Sequence, residues 1–384
     1  MTEMVPLETA ALAPGIRSSL ARNINGLDIH ILETGFEPAG RPLVLLLHGF
    51  PELAYSWRKV MLPLAAAGLH VVAPDLRGYG RTTGWNADYD GDLASFRLLK
   101  AVRDALGLVS ALGYREVALV AGHDFGASVA AWCALARPDV FCSVALMSAP
   151  FAGPPALPFD TTNQPRRQAA PEADIHDELA KLARPRKHYQ WYYSTPPANA
   201  DMRDCPQGVH AFLRGYFHYK SADWTDNKPD PLNGWTADEL AKMPTYYIMD
   251  LHKNMAETVA AEMPSAARIA ACRWLPEDEL AVYAAEYERT GFQGGLQWYR
   301  RGTGGIDTAE LQLFSGRTID VPSMFIAGKS DWGTYQRPGN FERMQQSVCT
   351  RMLGCHLIEG AGHWVQQEQP ERVSELLIEF LRRQ

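Results

Sequence analysis

The sequence predicts an α/β fold, a doubly wound and mostly parallel sheet with an inserted helical cap. Three observations predict it. Short continuous apolar runs, such as Pro42-Leu-Val-Leu-Leu-Leu-His48 and His70-Val-Val-Ala-Pro74, have the character of strands buried on both faces of a parallel sheet. They alternate with helix-forming stretches across short connections, the order from which right-handed crossovers build such a sheet. After Pro150 the alternation stops, and helices, Pro-rich connections and dense Trp and Tyr continue to about Thr318. The expected division is a first core segment over 1–150, a helical cap over 151–318 and a second core segment over 319–384.

In chain order, the first ~20 residues read as a poorly fixed lead-in. Gly26-Leu-Asp-Ile-His-Ile-Leu-Glu-Thr34 alternates as an early antiparallel strand should. The runs ending at His48 and Pro74 follow, the first leading through Gly49-Phe-Pro-Glu52 into a helix to about Ala67. An amphipathic helix is expected from Leu93 to Leu112, then a strand ending at Gly122, a helix over Ala127 to Ala136 and a strand over Phe141 to Met147. Beyond the cap, Val321 to Ala327 and Cys355 to Ile358 read as strands, with helices near Phe341 to Val348 and from Glu371 to Arg382.

Bulk properties narrow the function. With 46% hydrophobic and 21% charged residues the chain has a globular composition, and a net charge of −7 argues against nucleic acid or an anionic membrane as partner. Six scattered cysteines without CxxC or CxxH spacing read as free thiols, with no metal site and no disulfide framework. Met1-Thr-Glu-Met-Val-Pro-Leu7 lacks the basic-then-apolar plan of a signal peptide, and no apolar run approaches membrane-spanning length. A cytoplasmic protein without cofactor is expected, and a homodimer is left open. Gly78-Tyr-Gly80 and Gly302-Thr-Gly-Gly305 lack the strand–GxGxxG–helix setting of a dinucleotide site.

The chemistry centres on Gly122-His-Asp-Phe-Gly126, a Gly-flanked turn between a strand and a helix. That is the setting of the nucleophile elbow, with Asp124 where many hydrolases carry Ser. A carboxylate attacks a saturated carbon that bears a strained or good leaving group, and forms an ester that water must then cleave. His363, in Gly360-Ala-Gly-His-Trp364, stands where a general base is needed, and Asp331, in Ala327-Gly-Lys-Ser-Asp-Trp332, where its orienting acid is needed. The backbone N–H groups of Phe50 and Phe125 would form the oxyanion hole. His48 and His123 read as loop scaffolding.

His48-Gly-Phe-Pro-Glu52, Asp75-Leu-Arg-Gly-Tyr-Gly80, Gly122-His-Asp-Phe-Gly126 and Gly362-His-Trp364 together resemble the epoxide hydrolases of the α/β-hydrolase fold, from about Asn25 onward. The resemblance implies a small-molecule epoxide substrate, mostly apolar and opened to a vicinal diol, and a cis Phe50–Pro51 peptide. It also implies two cap tyrosines as acids toward the epoxide oxygen. Tyr189, in His188-Tyr-Gln-Trp-Tyr192, and Tyr283, in Leu280-Ala-Val-Tyr-Ala-Ala-Glu-Tyr287 followed by Gly291-Phe292 and Trp298-Tyr-Arg300, match those motifs. Tyr192, Tyr193, Tyr219 and Tyr299 read as aromatic core. Phe50, Pro51, Phe125, Trp191, Trp332 and Trp364 are expected to line the substrate chamber. The alternative is a haloalkane or haloacid dehalogenase with the same Asp–His–Asp logic. Against it, Phe125 lacks the indole N–H that holds a halide and the Arg that holds a haloacid carboxylate.

Overall fold

The computed structural model describes residues 7, 11–37, 39–157 and 174–384. In chain order the strands are β1 (Arg17–Ile24), β2 (Leu27–Thr34), β3 (Leu43–Leu47), β4 (His70–Pro74), β5 (Leu119–His123) and β6 (Val144–Met147), then β7 (Arg186–His188) and β8 (Ile248–Asp250) in the cap, and finally β9 (Ser323–Gly328) and β10 (Met352–Ile358). Among the described residues the main sheet runs β1-β2-β4-β3-β5-β6-β9-β10. Strand β2 is antiparallel to both neighbours, and the remaining pairs are parallel. Strands β3 to β6 are buried along their whole length, as continuous apolar runs require of a sheet covered on both faces.

From β3 the chain moves outward to β4 and then returns to lay β5 on the other side of β3. A topological switch point of this kind opens a crevice beyond the carboxyl ends of the strands. The crevice here lies after β3 and β5, where Phe50 and Asp124 follow their strands.

Helices α1 (Arg58–Ala66), α2 (Leu98–Ala111) and α3 (Phe125–Ala136) belong to the core. The stretch expected as one helix from Leu93 breaks at Arg97, whose ψ of 147° is not helical, so Leu93–Phe96 is a separate turn capped by Asp92. Part of the expected lead-in, Arg17–Ile24, is an edge strand. It is half-exposed and polar, and it is tied to β2 through Ser19 to Glu33 (2.8 Å) and Ser18 to His30 (2.8 Å). Of the Pro-rich connections expected in the cap, the stretch 153–171 lies mostly outside the described residues.

Between β6 and β9 the described elements are helical apart from the short β7–β8 pair. Two cap helices dock on the core by different means. Helix Glu277–Thr290 is pinned through Glu279 to Arg58 and through Tyr283 to Ser56 (2.8 Å). Helix Gln293–Thr303 lies against the loop after β4, where a Cβ on Gly294 would come within 1.9 Å of the Gly78 carbonyl oxygen. Only glycine allows that approach. Trp298 secures it by donating from Nε1 to the Arg77 carbonyl (2.9 Å). All six cysteines are free. No described helix is long and apolar enough to cross a membrane, and no described cluster of His, Cys, Asp or Glu is arranged to hold a metal.

Candidate active site

Strand β5 ends at His123 and α3 begins at Phe125, so Asp124 makes the whole turn, with φ 52° and ψ −117°. An L-residue held there costs roughly 1–3 kcal/mol, offset by the packing around it. The turn closes because α3 starts hard against β3, where a Cβ on Gly126 would meet the Leu47 carbonyl oxygen at 2.1 Å. Asp124 Oδ1 accepts the Phe50 N–H (3.1 Å), and the Phe50–Pro51 peptide is cis. The Phe125 N–H is first in its helix, so the helix itself offers it no acceptor.

Asp124 Oδ2 stands 3.6 Å from His363 Nε2, with the carboxylate side chain 14% exposed. At that distance the contact is electrostatic and not a hydrogen bond, and Nε2 has no hydrogen-bond partner in the structure. Burial would raise the Asp124 carboxyl. His363, Lys220 and His123 more than reverse that and hold it well below the usual carboxylate range. The Asp124 carboxyl is therefore ionised, with Oδ1 held by an N–H and Oδ2 without a hydrogen bond among the described residues.

His363 follows β10, and Asp331 follows β9 on the adjacent strand. Asp331 Oδ1 accepts from His363 Nδ1 (3.0 Å) and from the Gly333 N–H (2.7 Å). Burial pushes the Asp331 carboxyl up, while His363 and the Gly333 N–H bring it below its ordinary value. With Nδ1 turned to the Asp331 carboxylate, Nε2 is the ring nitrogen that faces Asp124.

A second, buried ion pair supports this geometry from below. His123 Nδ1 lies 2.6 Å from Glu52 Oε2, and His123 Nε2 lies 2.6 Å from the His363 carbonyl oxygen. Both ring nitrogens face acceptors, so both carry protons and the ring is an imidazolium. Burial lowers the His123 pKa, but the Glu52 carboxylate outweighs burial and raises it. Glu52 Oε1 also accepts from Gln366 (2.8 Å) and Gln367 (3.0 Å). One buried cluster thus ties the loop after β3, the nucleophile elbow and the His363 loop together. His48 acts as scaffolding, with Nε2 accepting the Leu76 N–H (3.0 Å).

Above the carboxylate stands a ring of aromatics. The Tyr299 ring meets Phe125 (centroids 4.7 Å), Phe50 (5.4 Å), Tyr193 (4.9 Å) and Tyr189 (5.8 Å). Its hydroxyl has no hydrogen-bond partner among the described residues. The Tyr189 hydroxyl donates to Gln336 Oε1 (3.0 Å) and accepts from Gln190 Nε2 (3.3 Å). Burial first and then the Asp124 charge push the Tyr189 phenol well above its ordinary range. Tyr299 is raised by burial, with Tyr189 and Asp124 adding to it. Both phenols are protonated donors at neutral pH.

Comparison with known proteins accords with this arrangement. A model of the alpha/beta hydrolase fold family matches residues 42–173. Epoxide hydrolase A of Mycobacterium tuberculosis is 34% identical over 360 residues, covering 93% of this chain and 95% of its own. The chain belongs to the epoxide hydrolases. An epoxide hydrolase of Caballeronia sordidicola is 30% identical over 93% of this chain and 92% of its own. Among solved structures, an epoxide hydrolase from an endophytic Streptomyces superposes with a TM-score of 0.75 at 30% identity, covering 96% of both chains. Potato epoxide hydrolase I gives 0.72 at 28% identity, covering 96% of this chain and 100% of its own.

In this epoxide hydrolase Asp124, His363, Asp331, Phe50, Phe125 and Tyr189 come together at one chamber, and Tyr283 does not join them. The Tyr283 hydroxyl sits among Ser56 (2.8 Å), Arg58 (3.4 Å) and Gln367 (3.0 Å), and its ring packs on Tyr55 and Phe217. It lies with Leu280 and Tyr287 on the buried seam of its helix, so its hydroxyl anchors cap to core. Tyr299, one helix later, packs on Phe125 and Phe50, near enough for the Asp124 charge to act on its phenol.

Two of the expected lining tryptophans are also elsewhere. Trp191 packs against His176 (4.0 Å) and His188 (4.9 Å) on the far side of its short helix. Trp364 has no exposed surface, and it forms a shelf under His363 with Nε1 given to the Phe217 carbonyl (2.8 Å). Trp332 is buried beside Asp331, and Phe125 is the half-buried ring next to the nucleophile. Glu52 and Tyr299 were missed as site residues although both sit inside quoted motifs. A buried partner for His123 was the available signal for Glu52.

Proposed function

We propose that this epoxide hydrolase opens an oxirane through an ester on Asp124, with Tyr189 and Tyr299 as the acids. The observation that carries the reading is the split environment of one carboxylate. Asp124 Oδ1 is held by an N–H, while Oδ2 has no hydrogen bond among the described residues, and two protonated phenols stand near enough for the Asp124 charge to act on them. Oδ2 attacks an oxirane carbon, the C–O bond breaks, and the departing oxygen takes hydrogen bonds and a proton from the phenols.

In the second step His363 Nε2 removes a proton from water as the water oxygen adds to Asp124 Cγ. The negative charge then falls on Oδ1, which already accepts the Phe50 N–H (3.1 Å), and the Phe125 N–H, left without an acceptor by its helix, would be the second donor. Collapse expels the diol, whose leaving oxygen recovers the proton from His363; Asp124 retains one oxygen from water, and the remaining water proton on its carboxyl returns to the phenolate, restoring both groups. The 3.6 Å gap between His363 and Asp124 supports this division, because a base hydrogen-bonded to its own nucleophile has no free lone pair for water.

The dehalogenase reading lacks an indole donor at the residue after Asp124, where Phe125 stands. The indoles of Trp298 and Trp364, packed on Phe125 and His363, donate to the Arg77 and Phe217 carbonyls and have no N–H left for a halide. The test is incubation with styrene oxide. Diol is expected from the wild-type protein, and Asp124→Ala is expected to form none above the uncatalysed background. Halide release from chloroalkanes with no diol from any epoxide in a broad panel contradicts the reading.

A further inference from the structure

A buried lysine lies near this site; its charge helps keep Asp124 ionised, but no step above uses its N–H groups. Lys220 ends the cap helix Gly208–Lys220 and is 3% exposed. Its Nζ lies over the rings of Tyr247 (4.8 Å to the centroid), Trp364 (5.4 Å), Tyr216 (5.5 Å) and Tyr246 (5.8 Å). No hydrogen-bond acceptor or ion-pair partner reaches the ammonium among the described residues, although it is not sealed off as the partnerless buried atoms elsewhere in the protein are. The rings that enclose it continue the catalytic chamber. Tyr216 meets Phe50 (6.4 Å), Tyr247 meets Tyr189 (5.0 Å) and Trp364 meets His363 (4.7 Å). The Lys220 carbonyl also accepts the His363 N–H (2.9 Å).

An ammonium removed from water is costly unless it is paired, and an apolar side chain of similar volume would fill the same space without that cost. Ring faces offset part of it. Asp124, Asp331 and Glu52 favour the charged form from a distance, but none forms an ion pair with the ammonium; Asp331 is held by His363, Glu52 by His123 and one Asp124 oxygen by the Phe50 N–H. In the reaction proposed above Asp124 also becomes a neutral ester. What is left is a desolvated, preorganised cation with three unused N–H donors, which is what a buried anion site requires.

We propose that Lys220 determines substrate specificity by binding a carboxylate carried a few bonds from the oxirane, so that the preferred substrates are short epoxy acids with an apolar body. The inference rests on the epoxide-opening reading for the reacting end of the substrate alone. The titratable groups facing Lys220 are Asp124, Asp331, Glu52, His363, Tyr216, Tyr246 and Tyr247. Burial lowers the Lys220 pKa and the carboxylates partly restore it, leaving it at about 8. The ammonium is present below that pH and is lost as pH rises through it.

Calorimetric titration of the wild-type protein with hydrocinnamate and with its neutral amide tests the site without any chemistry. The acid is expected to bind about 10- to 100-fold more tightly than the amide at neutral pH. That advantage disappears well above pH 8. In turnover, the ratio of kcat/KM for phenylglycidate over phenylglycidamide is expected to fall by a similar factor in Lys220→Met and to recover in part in Lys220→Arg. Equal affinity for acid and amide in the wild type overturns the inference, and so does an unchanged kcat/KM ratio in Lys220→Met. Should Lys220→Met not fold, the wild-type pair of titrations still decides. Acid-selective binding without diol from phenylglycidate retains the anion site and rejects epoxide opening. Diol from both substrates without preference rejects the anion site alone.

Discussion

His363→Gln is expected to consume one equivalent of epoxide and then stop. Ester formation needs the free Oδ2 of Asp124 and the phenols above it, and none of these depends on an imidazole. Ester cleavage needs a base for water, and glutamine has none. Hydrolysis is expected to slow on the order of 10³- to 10⁴-fold. Mass spectrometry of the intact protein is then expected to show an increase equal to one substrate, mapping to the peptide with Asp124. The fold itself should survive, because the His363 loop is also held by its backbone, through His123 to the carbonyl (2.6 Å) and Lys220 to the N–H (2.9 Å). A variant that folds but shows no mass increase, or that turns over at the wild-type rate, contradicts the assignment.

The second large effect concerns the opposite step. Tyr189→Phe and Tyr299→Phe are each expected to slow ester formation about 10²- to 10³-fold, since each removes one donor from a desolvated, charge-developing oxygen. The double variant is expected to form no detectable ester in stopped-flow fluorescence. The effects need not add, because the two phenols act on one atom. Tyr283→Phe is expected to behave differently. It loses the contacts to Ser56, Arg58 and Gln367, so stability falls by about 1–3 kcal/mol while ester formation changes no more than a few-fold. The reverse ranking, with Tyr283 costing more than Tyr299 in the first step, contradicts the geometry.

That ranking also marks where sequence reasoning reached its limit. Strands β3 to β6 were readable because a sheet covered on both faces leaves a continuous apolar run. Asp124, Asp331 and His363 were readable because each follows a strand in the order the fold requires. Strand β1 was not, since its half-exposed, polar edge carries no periodic apolar signal. Tyr283 and Tyr299 lie in consecutive helices and within one motif, and a motif does not say which helix face meets the core. The close approach of Gly294 to Gly78, a tertiary fact, sets that helix against the core, where Tyr299 packs on Phe50 and Phe125. Glu52 and His123 are 71 residues apart, and no local pattern joins them. Lys220 resembles an ordinary helix-terminal lysine until its neighbours are seen to be four rings.

The central claim is that the oxygen first delivered to the product comes from Asp124 and not directly from water. A single turnover of the wild-type enzyme, in excess over epoxide, in ¹⁸O-labelled water measures this. The account predicts an unlabelled first diol and one labelled oxygen in the Asp124 side chain. Label in the diol of that first turnover, with Asp124 unlabelled, contradicts it.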